Sequence, residues 1–170
     1  GLVTLYLGRP IGSFLKFDVS YGLQWDDFGR ADDTADEFII PQTTWTSSLT
    51  ADLSYSRSGY RLGLQAAVND RRSWEFWGLP GNLEYSPDQQ DFSWWSAVVG
   101  KTWWPGRFGK VGVELEHLDG DDLDRFSKYD FSTFGRGRVA GYQGGLVTAS
   151  SADGVHVVGG LNIAEALRVE

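Results

Sequence analysis

Within residues 14–26, every second side chain from Leu15 to Trp25 is apolar, and this run constrains the fold more than any other feature of the sequence. The apolar side of the alternation consists of Leu15, Phe17, Val19, Tyr21, Leu23 and Trp25. A period of two sustained over the whole run indicates a β-strand with one apolar face. Strands of globular proteins usually have about 5–6 residues, whereas a tilted strand that spans a membrane needs roughly 9–11. The length therefore favours the wall of a membrane barrel.

The same alternation returns in residues 45–56, 60–69 and 110–117. Arg57, Ser58 and Gly59 form a tight-turn sequence, so the first two of these segments are predicted to form a hairpin. Further strand-like segments, whose two faces are less distinct, complete a predicted set of about eight: 2–8, 92–104, 139–149 and 155–163. No helical pattern of convincing length is present. The sequence predicts an all-β, antiparallel, up-and-down fold.

The connections between these segments alternate in length along the chain. The short ones are 9–13, 57–59, 105–109 and 150–154, and the long ones are 27–43, 70–91 and 118–138. Short periplasmic turns and long extracellular loops are typical of bacterial outer-membrane barrels. Aromatic residues at the ends of the apolar rows suit the membrane interfaces, and we assign this role to Trp25, Trp45, Tyr55 and Tyr60. The fold class predicted is a transmembrane β-barrel.

Residues 1–170 are interpreted as a single barrel segment without a separate domain boundary. With eight strands and short periplasmic turns, both ends of the segment would lie on the extracellular side. Because a complete single-chain barrel normally starts and ends in the periplasm, we expect part of a larger barrel with an odd number of strands missing at each end.

The polar face of the alternating segments carries charges that would be costly to bury in a dry core. We predict that it lines a barrel lumen, with these residues pointing inward: Lys16, Asp18, Gln24, Asp52, Arg61, Gln65, Lys110, Glu114 and Glu116. Alternation alone does not tell inside from outside. A soluble lipocalin-like barrel, whose apolar residues point inward around a ligand, is the alternative fold and function.

Composition excludes several classes of function. The chain has no Cys, so it has neither a disulfide framework nor a thiolate metal site. A net charge of -8 argues against binding to nucleic acid. The acidic run Asp119, Asp121, Asp122 and Asp124 lacks the ligand order of an EF-hand and is interpreted as a solvated loop. We expect no metal, no cofactor and no covalent chemistry.

Histidines and tryptophans supply the remaining candidates for chemistry. His117 precedes several Asp residues, and an outer-membrane hydrolase with an active site at the rim is a second alternative. His156 is interpreted as a lumen or interfacial residue. Clustered aromatic residues could stack sugars, but interface belts of a membrane barrel are the favoured interpretation of Trp74, Phe76, Trp77, Trp94, Trp95, Trp103 and Trp104.

Residues 134–142 read Phe-Gly-Arg-Gly-Arg-Val-Ala-Gly-Tyr. This segment resembles the sixth extracellular loop of BamA-like barrels, the outer-membrane assembly and two-partner secretion superfamily, which has Val-Arg-Gly-Phe or Val-Arg-Gly-Tyr there. Val139, Gly141 and Tyr142 match, and Ala140 stands where the family has an arginine that pairs with acids of the barrel wall. Arg136 or Arg138 takes its place only if the loop is shifted.

The resemblance implies a protein of the bacterial outer membrane that assembles or translocates polypeptides, or contributes to a pore. Its expected partners are outer-membrane lipid, polypeptide clients and the remaining barrel strands or other subunits. The resemblance also implies a loop that plugs or gates the lumen through Arg136, Arg138, Val139, Gly141 and Tyr142. In a sixteen-stranded barrel of that family this loop joins strands eleven and twelve, so the eight predicted strands would be six through thirteen.

Overall fold

A computed structural model describes residues 1–106, 109–131 and 147–161. Its elements in chain order are β1 (Leu2–Ile11), β2 (Leu15–Asp26), β3 (Thr44–Arg57), β4 (Tyr60–Arg72), β5 (Gly78–Leu79), β6 (Asn82–Leu83), the short 3₁₀ helix η1 (Pro87–Gln90), β7 (Asp91–Trp103), β8 (Gly109–Asp121), β9 (Tyr129–Asp130), β10 (Thr148–Ala149) and β11 (Ser151–Leu161). Seven long strands form one sheet in the order β1-β2-β3-β4-β7-β8-β11. Each is antiparallel to its neighbour, which confirms the predicted all-β meander.

The predicted count of about eight wall strands is wrong for the described part of the chain. β8 pairs directly with β11, from Ser151 opposite Asp119 to Leu161 opposite Gly109, so no strand of residues 139–149 lies between them. The described end of that segment, Thr148–Ala149, instead pairs with Tyr129–Asp130. The segment has small or apolar residues on both faces, so its pattern did not distinguish a wall strand from a connection.

The sidedness of the two ends changes with the strand count. Leu2 pairs with Gln24 beside the long connection 27–43, whereas Leu161 pairs with Gly109 beside a short turn. Residues 151–154, predicted as a turn, belong to β11. The first described strand therefore begins at the long-connection end of the sheet, and the last described strand finishes at the short-turn end. With seven strands, the assignment of eight strands to positions six through thirteen no longer holds.

The register divides the sheet into a polar face and an apolar face. One row of partners runs through Asp18, Asp52, Gln65 and Ser96, and the adjacent row runs through Val19, Ala51, Ala66 and Trp95. The apolar face is the exposed one: Leu49 is 49% exposed and Val68 is 58% exposed. On the polar face, by contrast, Thr46 is 8% exposed and Asn69 is 9% exposed. The side chains that water-soluble proteins usually bury are thus the ones left uncovered.

A small apolar core covers the polar face near the long connections. Ala67, Trp94 and Leu118 of the sheet pack there with Leu123 and Tyr129 of the connection that follows β8. The Tyr129 hydroxyl lies 2.8 Å from the carbonyl oxygen of Asp119 and 3.0 Å from that of Trp95. The third long connection is therefore anchored on the inner side of the sheet and does not extend away from it.

Candidate functional site

The structure places all nine predicted lumen residues on the polar face. The alternation and the register assign this face to Lys16, Asp18 and Gln24 of β2, Asp52 of β3, Arg61 and Gln65 of β4, and Lys110, Glu114 and Glu116 of β8. Long strands with exact alternation keep the same parity from end to end, which is why sequence reasoning placed them together.

Most charges of this face have a partner nearby. Lys16 Nζ lies 2.7 Å from Asp18 Oδ2, and the Gln65 amide donates to Asp52 across the β3–β4 pair. His156 on β11 lies with its Nε2 3.1 Å from Glu116 Oε2. Charged groups that have a partner nearby fill a polar interior at a lower desolvation cost than isolated ones.

One ion pair joins strands that are not neighbours. Arg61 on β4 and Glu114 on β8 face Gly100 of the intervening β7, and Arg61 Nη1 lies 3.2 Å from Glu114 Oε1. A Cβ at Gly100 would stand about 2.8 Å from Glu114 Cγ. Because adjacent strands lie about 4.7–4.9 Å apart, the two side chains meet only by leaning over a residue without a side chain. Gly100 therefore permits the pair.

Cavities lie on this face among the described residues. One of about 650 Å³ is lined by the Arg61–Glu114 and Glu116–His156 pairs, and another, of about 400 Å³, is lined by Thr44, Thr46 and neighbouring aromatic residues. Trp94 lines both, so it forms part of the layer between them. Both volumes fall within the range of about 300–1,000 Å³ that is usual for ligand sites.

A buried ion pair fastens the third long connection to the sheet. Arg71 Nη2 lies 2.9 Å from Asp124 Oδ1, and the exposed fractions of the two side chains are 7% and 0%. The Arg71 guanidinium also lies 4.4 Å from the ring centroids of Trp74 and Phe92. Its Nη1 donates to the Gln89 carbonyl at 3.1 Å. One side chain thus contacts β7 and two separate connections.

The interpretation of the acidic run as a solvated loop is therefore wrong at Asp124. This carboxylate accepts hydrogen bonds from Arg71 and from the Ser127 backbone, and its second oxygen is buried without a partner among the described residues. Sequence reasoning missed Arg71 as well. Its parity with Asn69 on β4 was the available signal that it belongs to the polar face.

His117 lies on the apolar face, where its partner is not one of the following Asp residues. Its Nδ1 is 2.8 Å from Asp153 Oδ1 on β11, directly opposite in the register, and its ring centroid is 4.9 Å from that of Trp95. Asp119 and Asp121 follow on the same strand and the same face. A carboxylate that orients an imidazole is one component of acid–base chemistry, and it does not by itself define an active site.

The four predicted interface aromatics lie at the two ends of the apolar face. Trp25 and Trp45 are cross-strand partners with ring centroids 5.6 Å apart at the end that bears the long connections. Tyr55 and Tyr60 lie at the short-turn end, where Lys101 Nζ is 3.6 Å from the Tyr60 ring centroid. The structure thus separates them into two borders of one apolar band.

The belt interpretation is wrong for three tryptophans. Trp74, Trp77 and Trp94 are buried among the second long connection and the polar face. The Trp74 indole donates to the Ser86 carbonyl at 2.9 Å. Trp95 and Trp103 share the apolar face with the aromatic borders. Sequence proximity grouped Trp94 with Trp95, although successive strand residues point to opposite faces.

The predicted gating residues Arg136, Arg138, Val139, Gly141 and Tyr142 lie outside the described residues. Within the described ranges, no group of three metal-binding side chains is close enough to hold an ion. No helix of that part of the chain has the length and apolar character needed to cross a membrane. No protein-family model, curated protein or solved structure matches the chain.

Proposed function

We propose that this chain forms part of the wall of a bacterial outer-membrane β-barrel. The observation that carries the proposal is the reversed burial of the sheet: Leu49 and Val68 are exposed while Thr46 and Asn69 are buried. Lipid covers an exposed apolar face at no desolvation cost, and a polar inner face suits a lumen. Strands of 10 to 14 residues match the length that spans a membrane.

The narrower role is assembly or translocation of polypeptides, or contribution to a pore. It rests on the resemblance of residues 134–142 to the BamA-like loop, and the anchoring of Leu123 and Tyr129 on the polar face supports a connection that folds into the lumen. The partners are outer-membrane lipid, polypeptide clients and further barrel strands. The chain performs no covalent chemistry in this role.

The exposed apolar rows argue against the lipocalin-like alternative. A ligand-binding barrel in water would turn Leu49 and Leu64 inward and Thr50 and Gln65 outward, and the burial pattern is the opposite. The His117–Asp153 pair provides too few components to favour the hydrolase over the barrel wall.

A pair of single-cysteine variants tests the orientation of the sheet. The chain has no native Cys, so Leu49→Cys and Thr50→Cys each carry one fluorescent label on opposite faces of β3. In reconstituted vesicles, lipid-linked nitroxides are expected to quench the label at 49 strongly and the label at 50 weakly. Equal quenching, or stronger quenching at 50, would contradict the barrel wall and favour a fold with inward apolar residues.

A further inference from the structure

The acidic chain has one end that is rich in basic residues. We define the short-turn end by residues 9–16, 54–62, 98–106, 109–114 and 157–161, whose one acidic residue is Glu114 on the polar face, although the whole chain has 23 acidic residues. The basic residues of this end are Arg9, Lys16, Arg57, Arg61, Lys101 and Lys110. The net charge of -8 therefore conceals a strong separation of charge along the strands.

Three of these cations lie at the border of the apolar face. The register places Arg9 opposite Phe17, and Arg57 and Lys101 opposite Tyr60. None of the three has a carboxylate within ion-pair distance among the described residues. The basic residues of the polar face differ, because Lys16 and Arg61 are paired with acids.

Aromatic rings hold two of the border cations. The Arg57 guanidinium lies 4.7 Å from the Phe14 ring centroid, and Lys101 Nζ lies 3.6 Å from the Tyr60 ring centroid. Lys101 also donates to the Ser58 carbonyl at 2.9 Å. Long basic side chains that lie beside an apolar surface extend their charge toward water. This arrangement positions cations where the phosphates of a lipid layer begin.

The other end of the apolar face has the opposite charge. Among the described residues, that end of the face carries the carboxylates of Asp70, Asp91, Asp119, Asp121 and Asp153, together with the guanidinium of Arg72 opposite Trp45. Because acids outnumber bases there, the short-turn end is the one that attracts an anionic surface.

We propose that the short-turn end docks on the phosphate headgroups of anionic phospholipids through Arg9, Arg57 and Lys101. The proposal rests on the proposed function, since it requires the apolar face to lie in lipid. Each basic side chain near an anionic surface strengthens association about fivefold. These three cations thus determine which leaflet of the membrane contacts the short turns, whereas the apolar face alone does not distinguish the two leaflets.

The test compares vesicles of phosphatidylcholine with vesicles containing equal parts of phosphatidylcholine and phosphatidylglycerol. The variant Arg9→Gln/Arg57→Gln removes two charges that make no hydrogen bond among the described residues. Arg72→Gln/Arg125→Gln is the matched control, because it changes the net charge equally at the other end, where both residues are exposed. Association of the full chain is measured by co-flotation over a range of salt concentrations.

We expect the native chain and the control to prefer the mixed vesicles, and the Arg9/Arg57 variant to lose that preference by about 25-fold. Equal loss in the control, no loss in either variant, or release of the chain by free glycerol phosphate would overturn headgroup docking. In those cases quenching at Leu49→Cys still reports the barrel wall. Association with neither kind of vesicle would overturn both proposals.

Discussion

At the scale of single residues, Arg71 shows how a charge is accommodated inside the sheet. Its guanidinium stacks between Trp74 and Phe92 and pairs with Asp124. A planar guanidinium suits this position because it binds carboxylate through one edge and aromatic rings through its faces. Such a pair contributes little by comparison with apolar packing, but removal of one partner leaves the other charge buried. Replacement of Asp124 therefore tests how far the stability of the fold depends on the pairing of buried Arg71.

Replacement of Asp124 by alanine is predicted to lower the free energy of unfolding by about 3–5 kcal/mol, because Arg71 would stay buried without its counterion. Urea unfolding of the reconstituted chain measures the change. Glu114→Ala is the control, since its partner Arg61 is 64% exposed and stays solvated when Glu114 is lost; ion pairs with an exposed partner contribute about 0–1 kcal/mol. Comparable losses in both variants would show that the Arg71–Asp124 pair has no special role.

The sequence predicted which residues share the polar face, because parity is a local property of each strand. It did not predict the contact between Arg71 and Asp124. That contact depends on the path of the connection after β8, and the alternation of the strands contains no information about that path. The pairing of Arg61 with Glu114 was missed for a related reason, since it requires the register of three strands.

At the scale of elements, the connection after β8 is held on the sheet by the packing of one side chain and the hydrogen bonds of another. Leu123 lies over Gly120, whose missing side chain leaves the space that Leu123 occupies. Tyr129 reaches back to the carbonyls of β7 and β8. A connection packed in this way covers part of the polar face near the long connections.

Gly120→Ala is predicted to displace Leu123 and lower the free energy of unfolding by about 1–3 kcal/mol, because a Cβ at 120 clashes with that side chain. Trypsin reports the displacement, since Arg125 and Lys128 lie in the same connection and should be cleaved faster. Gly63→Ala on β4 is the control: its nearest neighbour would be 3.8 Å from the new Cβ. Unchanged cleavage in Gly120→Ala would contradict the proposed seating of Leu123.

Most strands were predicted within a few residues, including 92–104, whose faces are less distinct and which corresponds to β7 (Asp91–Trp103), whereas 139–149 was not. Residues 14–26 correspond to β2 (Leu15–Asp26), and residues 60–69 lie within β4. β8 continues to Asp121, beyond the predicted residue 117, because its acidic end stays paired with β7. Residues 139–149 had no distinct face, so nothing in their pattern separated a wall strand from a connection.

At the scale of the whole molecule, the direction of the strands restricts how a barrel can close. In a meander of seven strands, β1 and β11 run the same way. A direct seam between them would be parallel, whereas outer-membrane barrels of bacterial chains are antiparallel with an even number of strands. A second copy in the same orientation would meet the described edges with the same parallel arrangement. Closure in this class therefore requires an odd number of further strands between β11 and β1.

We predict that β1 and β11 of one reconstituted chain do not become disulfide-linked. The absence of native Cys allows pairwise trapping, with Val3, Leu5 or Leu7 of β1 replaced by Cys together with Val155 or Val157 of β11. A disulfide needs Cβ atoms about 3.5–4.5 Å apart, which only adjacent strands provide. Ala51→Cys/Ala66→Cys is the positive control, because these residues are direct partners on β3 and β4. Oxidation followed by electrophoresis separates the outcomes: a β1–β11 disulfide within one chain would show a parallel seam, and the requirement for further strands would be wrong.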